Sequence, residues 1–471
     1  MPAPTAVLSQ LERRFEDSVE ELCALVRTPG VSASGFPARE LVRSADQVAE
    51  LLTRSGLEHA RVLPFDGAHP YVMADWLHAG VDAPTALIYA HHDVQPPGRE
   101  AHWRSPPFEP TRRGDGRLYG RGVVDDKAGI VLHAAAIRAW LDAAGRLPVN
   151  VKLIVEGEEE IGSDHLAAFL RAHRQPLDAD VLVLSDTANL ATGIPSLTAS
   201  LRGIVAVDVT LTCLDHPLHS GMWGGPVPDA ATALARLLAR LVDARGAIAV
   251  PGLEDDVPEL DAEERAALEA LPFDADAFRR DAGMPKGAAF SGDPQRSVYE
   301  RLWLRPSLAP TALEGMELAR AGNQLLATAK ARVGLRVAPG QDAERAARRL
   351  MDFLRRDPPF GAQVSLESRW AVPGWKTRPE GPAFDAARRA LAAGYGREAV
   401  LIGCGGSIPF VGPFVEVLGG VPALLLGLED PPCNAHGENE SLDLGDFRRS
   451  QRAAAHLLAE LGTSLRKGAG R

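Results

Sequence analysis

The chain has 471 residues, 45% hydrophobic and 24% charged, with a formal net charge of −11. That length exceeds what one core usually serves, so two domains are expected. The acidic balance and the lack of any basic cluster exclude nucleic acid and anionic membrane as partners.

The N-terminal stretch "MPAPTAVLSQLERRFEDSVEELCALV" lacks the basic start and apolar core of a secretory signal. It reads as one amphipathic helix with Leu11, Phe15, Val19, Leu22 and Val26 on a single face. No uninterrupted apolar run reaches membrane-spanning length. Cys23, Cys213, Cys404 and Cys433 are scattered without a CxxC pair, which fits a reducing cytoplasm and offers no thiolate zinc site.

"ALIYAHHDV", "VNVKLIVEG" and "ADVLVLSDT" read as buried strands, separated by helical runs "DKAGIVLHAAAIRAWLDAAG" and "SDHLAAFLRAHR", the latter with Ser163 as N-cap. This alternation means an α/β layer with a largely parallel sheet. From residue 199 the pattern changes. "GIVAVDVTLTCL" alternates like a half-exposed antiparallel strand, "DAATALARLLARLVDA" is helical, and residues 252–300 are an irregular acidic excursion over the surface. "AKARVGLRVAPGQDAERAARRLMDFLRRD" adds a strand and a helix, and "AQVSLESRW" another strand. Near residue 375 the α/β pattern returns with "FDAARRALAAGYG" and "VPALLLGLED". The expected organisation is a domain of residues 1–198 and 375–471, interrupted by a smaller α+β domain of residues 199–374.

Ligand-type residues close three of the buried strands: His91, His92 and Asp93; Glu156, Glu158, Glu159 and Glu160; and Asp186. In open α/β sheets, ligands bind outside the carboxyl ends of the strands. His91 and Asp93, two apart on an extended segment, share a face, and a metal-bound histidine usually gives its other ring N–H to a carboxylate. Asp125 and Asp126 stand between glycines before a helix, where ordinary N-capping is the competing reading. His436 lies in a loop rich in Pro, Asn and Gly. Imidazoles and carboxylates without thiolates suit catalytic zinc, or manganese or cobalt at the same site.

In this order, "HHDVQP", "LYGRGVVDDKAG", "EGEEEIGS", "LSDT" and "NAHGENE" resemble the dinuclear zinc metallopeptidases that include carnosinase, cytosolic non-specific dipeptidase, glutamate carboxypeptidase, aminoacylase and acetylornithine deacetylase. The likeness runs over nearly the whole chain and is greatest to the dipeptidase branch. It implies an aminopeptidase-like catalytic domain with a central mixed, largely parallel sheet, and an inserted lid and dimerisation domain. It also implies two divalent cations, His91 and Asp186 on one, Glu160 and His436 on the other, with Asp125 bridging and Asp93 orienting His91. The Asp125–Asp126 peptide bond is expected to be cis. Glu159 matches the general base, which takes a proton from the water between the metals and returns it to the leaving amine. In the inserted domain, His219 of "PLHSGMWGG" matches the oxyanion-stabilising histidine that reaches a partner subunit's site. Arg336 of "GLRVAPGQD" matches the arginine that binds the substrate carboxylate, and Gly406 and Ser407 of "GGSIPFV" the loop beside it.

One departure touches substrate choice: Gly403 and Cys404 stand where dipeptidase-like members carry an Arg-Glu pair. The resemblance implies hydrolysis of amide bonds in dipeptides or short peptides by a cytoplasmic homodimer. An N-acyl-amino-acid deacylase is the alternative within the family, and a non-catalytic metal-binding paralogue the one outside its chemistry. A serine hydrolase is excluded because "CGGSIPF" lacks the glycine two residues after its serine, and a zincin because His-Glu-x-x-His is absent.

Overall fold

The computed structural model describes residues 2–408 and 410–465. The chain forms two compact units: one holds the residues up to Ala199, Arg378–Ile402 and the chain from Phe410, and the other holds Ser200–Thr377 with the segment that starts at Gly403.

The first unit is built on a mixed sheet of strands β1 (Glu58–Leu63), β2 (Tyr71–Trp76), β3 (Thr85–His91), β4 (Asn150–Glu156), β5 (Val181–Ala188), β6 (Ser196–Leu201) and β7 (Ala423–Glu429). Their order is β1-β2-β4-β3-β5-β7-β6. The central four, β4-β3-β5-β7, run parallel. β1 and β2 on one side and β6 on the other are antiparallel. The apolar runs read as buried strands are β3, β4, β5 and β7, and their interior residues are almost wholly buried, as strands covered on both faces must be. The helix Lys127–Ala144 is buried along most of its length, and Pro382–Tyr395 packs on Leu444–Ser464 through alanines such as Ala387, Ala390, Ala453 and Ala454.

Local readings fail in two places. The N-terminal amphipathic segment is two helices, Thr5–Arg13 and Phe15–Val26, broken where Arg14 leaves helical geometry, although all five predicted core residues are buried. Ser163 is not a cap: it takes a left-handed φ of 56°, and the helix begins at Leu166 after His165.

The second unit contains a four-stranded antiparallel sheet in the order Ser307–Glu314, Thr328–Val337, Gly203–Thr212, Gln363–Val372. Helices Ala230–Ala239 and Ala343–Arg355 cover one face around a core of Val205, Val207, Val209, Val333, Leu335 and Leu350. Residues 252–300 are mostly exposed but carry short helices, Ala262–Glu269, Ala275–Asp281 and the start of Val298–Trp303. Among the described residues no helix is long and apolar enough to cross a membrane.

Candidate metal centre

The carboxyl ends of the parallel strands bring the predicted ligands of the first unit together. His91 closes β3 and Asp186 lies near the end of β5. Glu159 and Glu160 begin a turn just beyond β4. Asp125 and Asp126 are joined by a cis peptide bond ahead of the helix Lys127–Ala144. Asp126 occupies the N-cap position without accepting a helix N–H, so the capping reading does not explain the pair. Its carboxylate instead accepts the His91 backbone N–H at 3.3 Å. Asp126 Oδ1 would lie 2.0 Å from any Cβ at position 129, which is why glycine stands there.

Two three-residue sets share Asp125. His91 Nε2 is 3.1 Å from Asp125 Oδ1 and 3.7 Å from Asp186 Oδ2. His436 Nε2 is 2.9 Å from Asp125 Oδ2 and 3.1 Å from Glu160 Oε2. Each set offers three ligand atoms within 4.8 Å of one another. Ligands at about 2.0–2.2 Å from a tetrahedral zinc lie roughly 3.3–3.6 Å apart, so both donor sets fit a small divalent cation. A further set, Glu58, His59 and Asp75, stands on the exposed β1–β2 edge and includes a surface His59–Asp75 pair at 2.9 Å.

Charge supports the same conclusion. Burial, reinforced by Asp125, raises the Glu160 pKa to about 7, against the pull of His436. Burial also holds the Asp186 carboxyl above its usual range. Glu159 is pushed well up by burial and by Asp186, Glu160 and Asp125, with His91 opposing. Asp125 moves the other way: burial works against ionisation, but hydrogen bonds from His436 and His91 outweigh it. His436 rises to about 11 on its contacts with Asp125 and Glu160. Carboxyls outnumber imidazoles in this crevice, and divalent cations are the counter-charge such a donor set suits.

Surrounding groups hold these side chains. The Nδ1 of His91 faces the Asp93 carbonyl at 3.1 Å and the Asp93 carboxylate at 3.4 Å. That carboxylate also accepts the backbone N–H groups of Glu159 and Glu160, at 3.2 and 3.1 Å. His92 points away and meets the Pro70 carbonyl at 2.9 Å. Glu156 and Glu158 are buried, not solvated: Tyr89 donates to Glu156 at 2.6 Å, and Tyr71 and His165 bond Glu158.

Sequence reasoning missed the Arg121–Glu440 pair. Glu440 accepts the N–H groups of Gly122, Val124 and Asp125 and pairs with Arg121 at 2.6 Å, while Arg121 also donates to the carbonyls of Pro96, His436 and Gly437. Glu440 lies inside the quoted "NAHGENE", yet nothing in a run of polar loop residues marks which one is buried.

In the second unit Arg336 Nη1 donates to Ser407 Oγ at 2.8 Å, and burial lowers its pKa. The buried Arg202 guanidinium stands near enough to repel it. The Gly406 N–H is directed at Cys404 Sγ, 3.3 Å away. Gly403 is dictated by packing, because a Cβ there would sit 2.5 Å from Trp303 Cβ. His219 is exposed, and its Nδ1 accepts the Gly221 N–H.

A model of peptidase family M20/M25/M40 matches residues 87–460. The chain is 33% identical to the cysteinylglycine-S-conjugate dipeptidase of Corynebacterium striatum, over 81% of this chain and 82% of that protein. It is 29% identical to a Cys-Gly metallodipeptidase of Schizosaccharomyces pombe, over 96% and 97%. The crystal structure of human carnosine dipeptidase 1 aligns with a TM-score of 0.84 at 26% identity, over 98% of this chain and 100% of that one.

Proposed function

The chain belongs to peptidase family M20/M25/M40, a metal-dependent hydrolase family, and from that premise we propose that it hydrolyses dipeptides at a dinuclear centre. The observation that carries this reading is the pair of three-residue sets sharing Asp125, one oxygen toward each imidazole. His91, Asp125 and Asp186 would hold one cation, and Asp125, Glu160 and His436 the other, with zinc as the metal this donor set suits first. Bound there, the cations supply Lewis acidity, lowering the pKa of water and polarising the scissile carbonyl.

The protein residues divide the remaining work. Glu159 takes a proton from the attacking water and delivers it to the leaving amine, so the amide and water become a carboxylate and an amine. Asp93 fixes the ring of His91. His219 donates to the oxyanion, acting in a partner subunit's site. Arg336 and Ser407, with the Gly406 loop, bind the substrate's free carboxylate, a task the planar guanidinium fork suits. Exposed Met222, Trp223, Leu313 and Leu318 of the second unit support a homodimer formed through it. Four free cysteines support a cytoplasmic location.

The named relatives are dipeptidases, which disfavours the deacylase alternative. A panel of dipeptides, N-acetyl amino acids and C-terminally amidated peptides tests the reading, assayed before and after chelation and on add-back of zinc, manganese or cobalt. Dipeptides should be the best substrates and activity should vanish on chelation. Activity in fully metal-free protein would refute the mechanism.

A further inference from the structure

The second unit carries two guanidiniums on one face of its sheet. Leu335 and Val337 are buried in the core of that unit, so Arg336, between them on the strand, projects from the opposite face. Ser307 is its cross-strand partner and projects beside it. Arg202, just ahead of the strand Gly203–Thr212, reaches the same place. Its Nη1 donates to Ser307 Oγ at 2.9 Å and its Nε to the Gly405 carbonyl at 3.0 Å. Arg336 Nη1 donates to Ser407 Oγ, two residues farther along that loop. Both side chains thus meet one loop and one strand end.

Neither has a counter-charge. Arg202 is 7% exposed, and among the described residues neither guanidinium pairs with a carboxylate. Burial lowers the Arg202 pKa to about 10, and repulsion from Arg336 adds to it. The one group of opposite sign acting on either is the Cys404 thiol. That is where the sequence departs from the Arg-Glu pair of dipeptidase-like members. Arg202 Nη2, and Arg336 Nε and Nη2, meet no acceptor among the described residues, yet none is sealed from solvent. Like charges partly withdrawn from water are costly unless an anion joins them. A single carboxylate balances one of the pair, and a ligand with two carboxylates balances both.

We propose that Arg202 and Arg336 together form a dianion subsite that selects dipeptides whose C-terminal residue is aspartate or glutamate. Arg336 takes the α-carboxylate, and Arg202 takes the side-chain carboxylate of the same residue. The inference rests on the dipeptidase reading above. It makes Arg202 a specificity residue with no part in metal binding or bond cleavage.

Alanylglutamate and alanylglutamine have nearly the same shape and differ in one charge, so the ratio of their kcat/KM values isolates the contact. Full-length, metal-replete wild-type protein should favour alanylglutamate by about 10–100-fold, the worth of a charge-assisted pair. The difference should lie chiefly in KM, as for a contact kept from ground state to transition state. Arg202→Gln should bring the ratio towards parity with metal content unchanged. A purely structural role for Arg202 gives equal loss on both substrates and an unchanged ratio, which would overturn the assignment. So would a wild-type protein without the preference, a measurement that needs no variant to fold. Calorimetry with the amine products separates the two readings. Glutamate should bind the wild type about 10–100-fold more tightly than glutamine, and Arg202→Gln should abolish the difference. A protein that cleaves no dipeptide yet shows this binding refutes the dipeptidase reading alone. One that cleaves dipeptides but discriminates in neither assay refutes only the dianion subsite.

Discussion

Arg121→Met is the substitution whose cost the structure defines best. The guanidinium is 1% exposed and meets a Glu440 carboxylate that is itself fully buried, so its removal leaves a negative charge without its partner. Breaking one side of such a pair costs about 3–5 kcal/mol, well above the ~1 kcal/mol typical of surface pairs. The same guanidinium bonds the carbonyls of Pro96, His436 and Gly437, and Glu440 holds the backbone of Asp125. The two segments that carry the proposed ligands Asp125 and His436 therefore lose their common anchor, and outer groups of this kind are worth about 10–100-fold in metal affinity. Urea unfolding of the metal-free protein reads the first quantity, and chelator competition the second. Arg121→Met with Glu440→Gln should regain part of the stability, because a neutral amide leaves no buried charge, but not the metal affinity. A single variant within about 1 kcal/mol of wild type, with unchanged metal affinity, would refute the reasoning.

Glu159→Gln should slow turnover about 10²–10⁴-fold while both metals stay bound. If Glu159→Gln empties the site and Glu160→Gln leaves it full, the two roles are reversed. His219→Ala should lower kcat about 10²–10³-fold without metal loss, and a fully active monomer in sedimentation would remove the partner-subunit role. Buried His133, bonded to Ser185 at 3.0 Å, has its pKa pulled by burial from 6.5 to about 3. The unfolded chain then binds the extra proton between those values, so this contribution is complete above pH 6.5 and is lost as pH falls toward 3. His133→Gln should reduce the acid-side slope of stability against pH by up to about 1.4 kcal/mol per unit in metal-free protein, and parallel curves would exclude it.

The elements read most easily from sequence are those whose pattern their surroundings enforce. β3, β4, β5 and β7 are short apolar runs because they are buried on both faces, and proposed ligands lie at or just beyond the ends of the first three. The strand Ser307–Glu314 escaped because it is an exposed edge that contains Pro310 and gives little apolar signal. Ser163 misled because serine before a helical run is a good cap in general, while here the turn after Glu160 keeps its backbone left-handed. Nothing in the local sequence marks Glu158 and Glu440 as buried, because Tyr71 and Arg121, which bond them, are distant in sequence. His91, Asp125, Asp186, Glu160 and His436 could be picked out only as a set, since each alone has an ordinary structural explanation.

Glu159 and Glu160 show how adjacent carboxylates can be given different chemistry. Both backbone N–H groups bond the Asp93 carboxylate, so the peptide between them is fixed and the two side chains diverge from one rigid base. Glu160 is then pinned: it accepts the Gln95 backbone N–H at 3.0 Å and the Gln95 side-chain amide at 2.9 Å, and faces His436. Pinning lowers the entropy lost on coordination, which suits a ligand. Among the described residues nothing hydrogen-bonds the Glu159 side chain, and burial, with Asp186, Glu160 and Asp125, pushes its carboxyl above the ordinary range against the pull of His91. An unpinned carboxylate with raised proton affinity can accept and then release a proton without breaking a bond of its own. On this argument the proposed division between base and ligand follows from Gln95 and His436, which hold one carboxylate and leave its neighbour free.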